Sequence, residues 1–164
     1  MRILFSILAA LWLFSSCSKD GSSGKIAIYP VTVTHFTAGE CKVDPDSAVL
    51  DPGPLFDDGD IESYNATTYD FTLTSNAAQL FNAQMPRSVF AMTLNKKVIY
   101  YFVHMPMFMS SSCYQSITAN VLTTTNKLSV RLGYAAPSSM QALIKDERNN
   151  EELIEALRSQ GKIR

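Results

Sequence analysis

The sequence predicts a mostly β domain (α+β), an antiparallel sandwich or open barrel of about six strands with a short C-terminal helix. Three observations carry this. Short segments rich in apolar and β-branched residues alternate with period two, turn-forming residues punctuate them, and one amphipathic stretch of helical period stands near the end. Residues 25–36, KIAIYPVTVTHF, form the first segment, with Pro30 confining it to an edge or bulge because proline offers the ladder no N–H. Residues 67–75, TTYDFTLTS, alternate most cleanly: Tyr69, Phe71 and Leu73 point one way and Asp70, Thr72 and Thr74 the other. SVFAMTL and KVIYYFVHM flank NKK and predict a hairpin. YQSITANVLT and KLSVRLGY flank TTN and predict a second, with Leu128, Val130, Leu132 and Tyr134 on one face. NNEELIEALRSQG predicts a helix near 149–160. Asn149 is its expected cap and Glu152 the partner in a capping box, while Gly161 ends it and Leu153, Ile154 and Leu157 form its buried stripe.

The N-terminus reads as an address. Met1-Arg2 is a short positive region, and Ile3 to Phe14 is an apolar run broken only by Ser6. A helix that spans the hydrocarbon core needs about 20 apolar residues, so this run has the length of a signal-peptide core instead. Ser15 and Ser16 lead directly into Cys17, followed by SKDGSSG. This stretch resembles the lipobox of small exported lipoproteins of the Bacteroidota, with Phe14 where Leu is usual and Ser16 where Gly or Ala is usual. The resemblance covers targeting only. It implies a signal peptide over residues 1–16, a diacylated Cys17 and an outer-membrane location. Acyl chains contribute about 0.8 kcal/mol per buried CH₂, so two or three of them anchor stably. Residues 17–24 then form a flexible tether. In that group acidic residues after the cysteine can direct surface export; Lys19-Asp20 resembles the pattern, which favours the cell surface over the periplasmic face.

Residues 25–164 suffice for a single domain with a real core. Without Arg2, the chain's 14 Lys and Arg fall by one against 15 Asp and Glu, and no basic patch points to nucleic acid. In an exported domain Cys41 and Cys113 suggest one disulfide, closing a loop of about 70 residues and stabilising by about 4 kcal/mol on the chain-entropy model.

Residues 38–65 hold eight of the 15 acidic residues together with Pro45, Pro52 and Pro54, which predicts an irregular acidic loop. Asp57, Asp58, Asp60 and Glu62 are calcium candidates, although the spacing is not that of an EF-hand. Asp46-Ser47-Ala48 matches the short motif at which Bacteroidota attach O-glycans, which makes Ser47 a candidate.

HMPMFM supplies a different chemistry. Thioethers and imidazole suit copper(I), so His104, Met105, Met107 and Met109 are candidate ligands, weighed against methionine as an adaptable core filler. His35 and His104 are the only histidines. No nucleophile elbow surrounds Ser110 to Ser112, no phosphate loop or zinc spacing occurs, and an enzyme is not expected. No cofactor is expected either. The reading is an envelope lipoprotein acting as a binding module for a protein or glycan. Glycan binding predicts Tyr100, Tyr101 and Tyr114 exposed on one face. The alternatives are a periplasmic copper carrier using HMPMFM and a protease inhibitor acting through the acidic loop.

Overall fold

The structure, a computed structural model, describes residues 24–33, 36–37 and 41–164. The expected signal peptide, the acylated Cys17, the tether up to residue 23 and His35 lie outside the described residues. The chain is mostly β, with an open mixed sheet and a short C-terminal helix. In order the elements are β1 (Ile26–Val33), β2 (Phe36–Thr37), β3 (Lys42–Val43), β4 (Ala48–Leu50), β5 (Phe56–Asp57), β6 (Ile61–Asn65) and β7 (Asp70–Leu73). Then come α1 (Ser75–Asn82), β8 (Val89–Leu94), β9 (Lys97–His104), β10 (Cys113–Leu122), β11 (Lys127–Tyr134), α2 (Ser138–Gln141) and α3 (Glu151–Ser159).

Among the described residues nine strands join one sheet in the order β4-β1-β8-β9-β10-β11-β7-β6, with β5 also on β1; β2 and β3 form a separate ribbon. The parallel step within this open sheet corrects the expectation of a wholly antiparallel sandwich or open barrel of about six strands. The sheet neither closes nor splits, and β9 and β10 run parallel, Phe102–His104 beside Ile117–Ala119. Residues 105–112 produce that parallel step. Both predicted hairpins form, and in the first Asn95 and Lys96 take φ of 52° and 66°, as a primed two-residue turn requires.

The expected acidic loop is mostly ordered chain. Short turns cover 45–47 and 58–60, and β3 to β6 fall within residues 38–65. Composition misleads here because strand pairing uses the backbone, which leaves acidic side chains free to face outward. β4 and β5 both pair with β1, so Pro30 lies in an interior strand. Its carbonyl accepts from Asp51 N at 3.0 Å, beside the break between β4 and β5, so its missing N–H interrupts no ladder.

The main core lies on one face of the sheet under α1 and α3. Phe102 and Phe90 stack at 5.6 Å, Phe81 of α1 meets Phe90 at 5.1 Å, and Leu153 and Leu157 of α3 are fully buried. The sequence reading did not include α1, which Thr74 starts by accepting a hydrogen bond from Ala77 N. The cap of α3 also differs. Asn150 accepts from Glu152 N and Leu153 N, whereas Asn149 is held by Tyr64 and Glu152 pairs with Lys97 at 2.7 Å. Ile154 is only half-buried and Ala156 takes its place in the stripe. Among the described residues no helix is long and apolar enough to cross a membrane.

β9 is buried on both faces, which creates a second, smaller core. Val103 turns away from Phe102 to the outer face, where it meets Cys41, Met105 and Cys113, with Phe36, Val43, Met109 and Tyr134 packed around them. Phe36, Cys41 and Val43, together with Met105 and Met109 of the 105–112 segment, supply this outer layer. Tyr134 belongs to it rather than to the face of Leu128 and Val130, because Gly133 at φ +72° breaks the alternation of β11.

Candidate functional site

The calcium candidates are each engaged separately. Asp57 pairs with Lys25 at 2.9 Å and accepts from Gly59 N, and the Lys25 hydrogen bond holds its carboxyl below the usual range. Asp58 accepts from Gln160 Nε2 at 3.3 Å, Asp60 accepts from the Thr74 hydroxyl at 2.9 Å, and Glu62 is exposed. Among the described residues no three His, Cys, Asp or Glu side chains gather as a metal site. Ser47 ends the 45–47 turn, half-buried, with its hydroxyl donating to Asp44 O at 3.1 Å.

The expected copper set divides between the two faces of β9. His104 turns to the main core, its ring edge-on to Phe81 with centroids 4.7 Å apart and Nδ1 3.3 Å from Met85 O. Burial holds its pKa below the ordinary value. Met105 lies fully buried in the outer core, Met109 packs against it, and Met107 is 68% exposed. The structure therefore joins two of the four candidates, and joins them to the two cysteines. Period two dictates the division: consecutive residues of a strand face opposite ways.

Cys41 and Cys113 are unbridged thiols, fully buried next to each other in the outer core. The neighbouring Cys41 thiol, followed by burial, raises the pKa of Cys113, which leaves Cys41 the more acidic partner. The Ser116 hydroxyl donates to Cys41 O, tying the β2–β3 ribbon to β10. The Tyr134 hydroxyl donates to Met107 O at 2.9 Å and Met109 O at 3.1 Å, which holds the 105–112 segment over the sheet.

A crevice opens where β9 and β10 part. Their ladder spans three residue pairs only, and upstream of it the strands diverge around a cavity of about 520 Å³. Val43, Ile99, Tyr101, Leu143 and Ile144 give it apolar walls, and Gln115, Lys145 and Glu147 add polar groups. The three tyrosines do not form one platform. Tyr100 is buried in the main core, its neighbour Tyr101 faces the other way half-buried, and Tyr114 is half-buried. The sequence reading missed this crevice, since only the parallel pairing of β9 with β10 creates it. No family model matches the chain, and neither do curated proteins or solved structures.

Proposed function

We propose that the protein is a lipid-anchored envelope binding module, and that the crevice between β9 and β10 receives an extended segment of a protein partner. One observation carries the reading: the two strands share only three ladder pairs, so an open length of strand edge borders an apolar cavity of about 520 Å³. An extended polypeptide satisfies both features at once, with main-chain hydrogen bonds to a strand and side chains in the adjoining pocket. Leu143, 79% exposed at the rim, supplies apolar contact area, and Lys145 and Glu147 orient the bound segment. A glycan would instead need the stacking platform that Tyr100 and Tyr101, facing opposite ways, do not build. The anchor at Cys17 confines the domain to a membrane surface, where even a weak partner is met at high local concentration.

The test is photo-crosslinking in intact cells, with the reactive residue placed at Gln115 or, as a control, at Lys127. A protein adduct at 115 that is absent at 127 is the expected result. No adduct, or equal adducts at both positions, overturns the site. Metabolic labelling with an alkyne fatty acid tests the anchor separately: label on the wild type and none on Cys17→Ala is expected. External protease then reports the face, with cleavage expected on intact cells.

A further inference from the structure

We propose that Cys41, Cys113, Met105 and Met109 form a binding site for copper(I), with the two thiolates as principal ligands and the thioethers as neutral ones. The four side chains come from three separate segments, the β2–β3 ribbon, the 105–112 segment and the start of β10, and meet in one cluster on the outer face of the sheet. Cys41, Cys113 and Met105 are 0% exposed and share one buried cluster with Val103. The donor set is wholly soft. Thiolate and thioether ligands suit copper(I), and among the described residues no imidazole or carboxylate gathers with the two cysteines into a metal site. Val103, Phe36, Val43 and Tyr134 surround the sulfurs and keep water from the ion.

Charge and protons balance. Binding one copper(I) ion to two neutral thiols releases two protons and leaves a unit negative charge on the bis-thiolate complex. No electron is transferred. Two simpler roles compete for the same atoms. As packing, the methionines would fill space that leucine fills equally well. As a structural cross-link, the thiols would lose two electrons and two protons to an external disulfide and be closed to metal.

The experiment uses the full chain extracted from membranes, reduced under anaerobic conditions and loaded with copper(I) in competition with a chromogenic copper(I) chelator. One copper retained per chain is expected, together with a sulfur-only first shell by X-ray absorption. Cys41→Ser and Cys113→Ser each abolish retention. Met105→Leu and Met109→Leu each weaken it about tenfold, the equivalent of about 1.4 kcal/mol. Met107→Leu, at an exposed position, leaves it unchanged. Retention by Cys113→Ser, a nitrogen ligand in the first shell, or full affinity in the Met105→Leu/Met109→Leu double variant overturns the proposal. So does finding Cys41 and Cys113 bridged to each other in protein taken directly from cells. The absorption measurement needs no variant, so a misfolded substitution does not decide the outcome.

Discussion

The Tyr64 hydroxyl donates to Asn149 Oδ1 at 2.8 Å and to Arg148 O at 3.0 Å, joining the edge strand β6 to the segment that leads into α3. Asn149 in turn donates from Nδ2 to Ala66 O at 3.0 Å, so its amide is spent on both contacts. Tyr64 is fully buried and packs on Phe71 with ring centroids 4.3 Å apart. Tyr64→Phe keeps the ring and removes one hydroxyl, a loss of about 1 kcal/mol. Asn149→Ala removes the amide's bonds to both Tyr64 and Ala66 O while the hydroxyl keeps Arg148 O, and the loss of two bonds rather than one raises the cost to about 2 kcal/mol. Urea unfolding with an unchanged m-value checks both. Equal losses in the two variants would refute the argument.

Residues 44–60 contribute β4 and β5 to the sheet, and their removal is expected to unfold the domain. Val31, Thr32 and Val33 pair with Leu50, Val49 and Ala48, and Ala27 and Ile28 pair with Asp57 and Phe56. Phe56 also enters the main core. Phe56→Ala should therefore cost about 3 kcal/mol, a value typical of a buried phenylalanine. A protruding inhibitory loop would predict almost no effect on stability from either change, so thermal denaturation of Phe56→Ala separates the two.

Side-chain periodicity made the central strands readable from sequence. Phe71 and Leu73, Leu128 and Val130, and the Asn95-Lys96 turn all stand where alternation and turn chemistry place them. Lateral order was not readable, because it is set by contacts between residues far apart. Nothing local reveals that Phe102 pairs with Ile117 in parallel. The helix α1 escaped notice since SNAAQLFN presents only Ala77, Ala78 and Phe81 to the core, a weak apolar signal. At the candidate site, HMPMFM drew attention to Met105 and Met109. Their association with Cys41 depends on the β2–β3 ribbon folding over the outer face, which no spacing discloses.

The burial of His104 predicts acid sensitivity. The neutral ring lies 1% exposed, and desolvation outweighs the raising effect of the Met85 and Gln84 carbonyls, so its folded pKa falls below the ordinary 6.5. Below about pH 6.5 the unfolded chain takes up a proton that the folded chain refuses. Stability is therefore complete above that pH and declines as pH falls towards the folded pKa, with a slope of at most about 1.4 kcal/mol per pH unit. His104→Asn should flatten this slope while lowering stability at neutral pH. Urea midpoints of both proteins between pH 7.5 and 5 test it, and parallel profiles would exclude His104 as the source.

Gly133 controls how the outer core is closed. It holds φ at +72°, and an added Cβ would stand 2.8 Å from Ala136 Cβ and 3.0 Å from Cys113 O. The first contact is with another side chain and the second with backbone, and the backbone cannot yield without moving the start of β10. The Thr118 hydroxyl donates to Gly133 O at 2.9 Å, which fixes the same peptide from the other side. Gly133→Ala therefore combines left-handed strain with a clash, and a loss of about 2–3 kcal/mol is expected. The damage should be local first. Tyr134 would lose its hold on Met107 O and Met109 O, and the 105–112 segment would open over the buried thiols. Alkylation of Cys41 and Cys113 in native buffer reads this directly: Gly133→Ala should react faster than wild type by the ratio of their opening equilibria, before the main core unfolds. Faster alkylation confined to conditions of global unfolding would instead mean that the outer core has no independent opening.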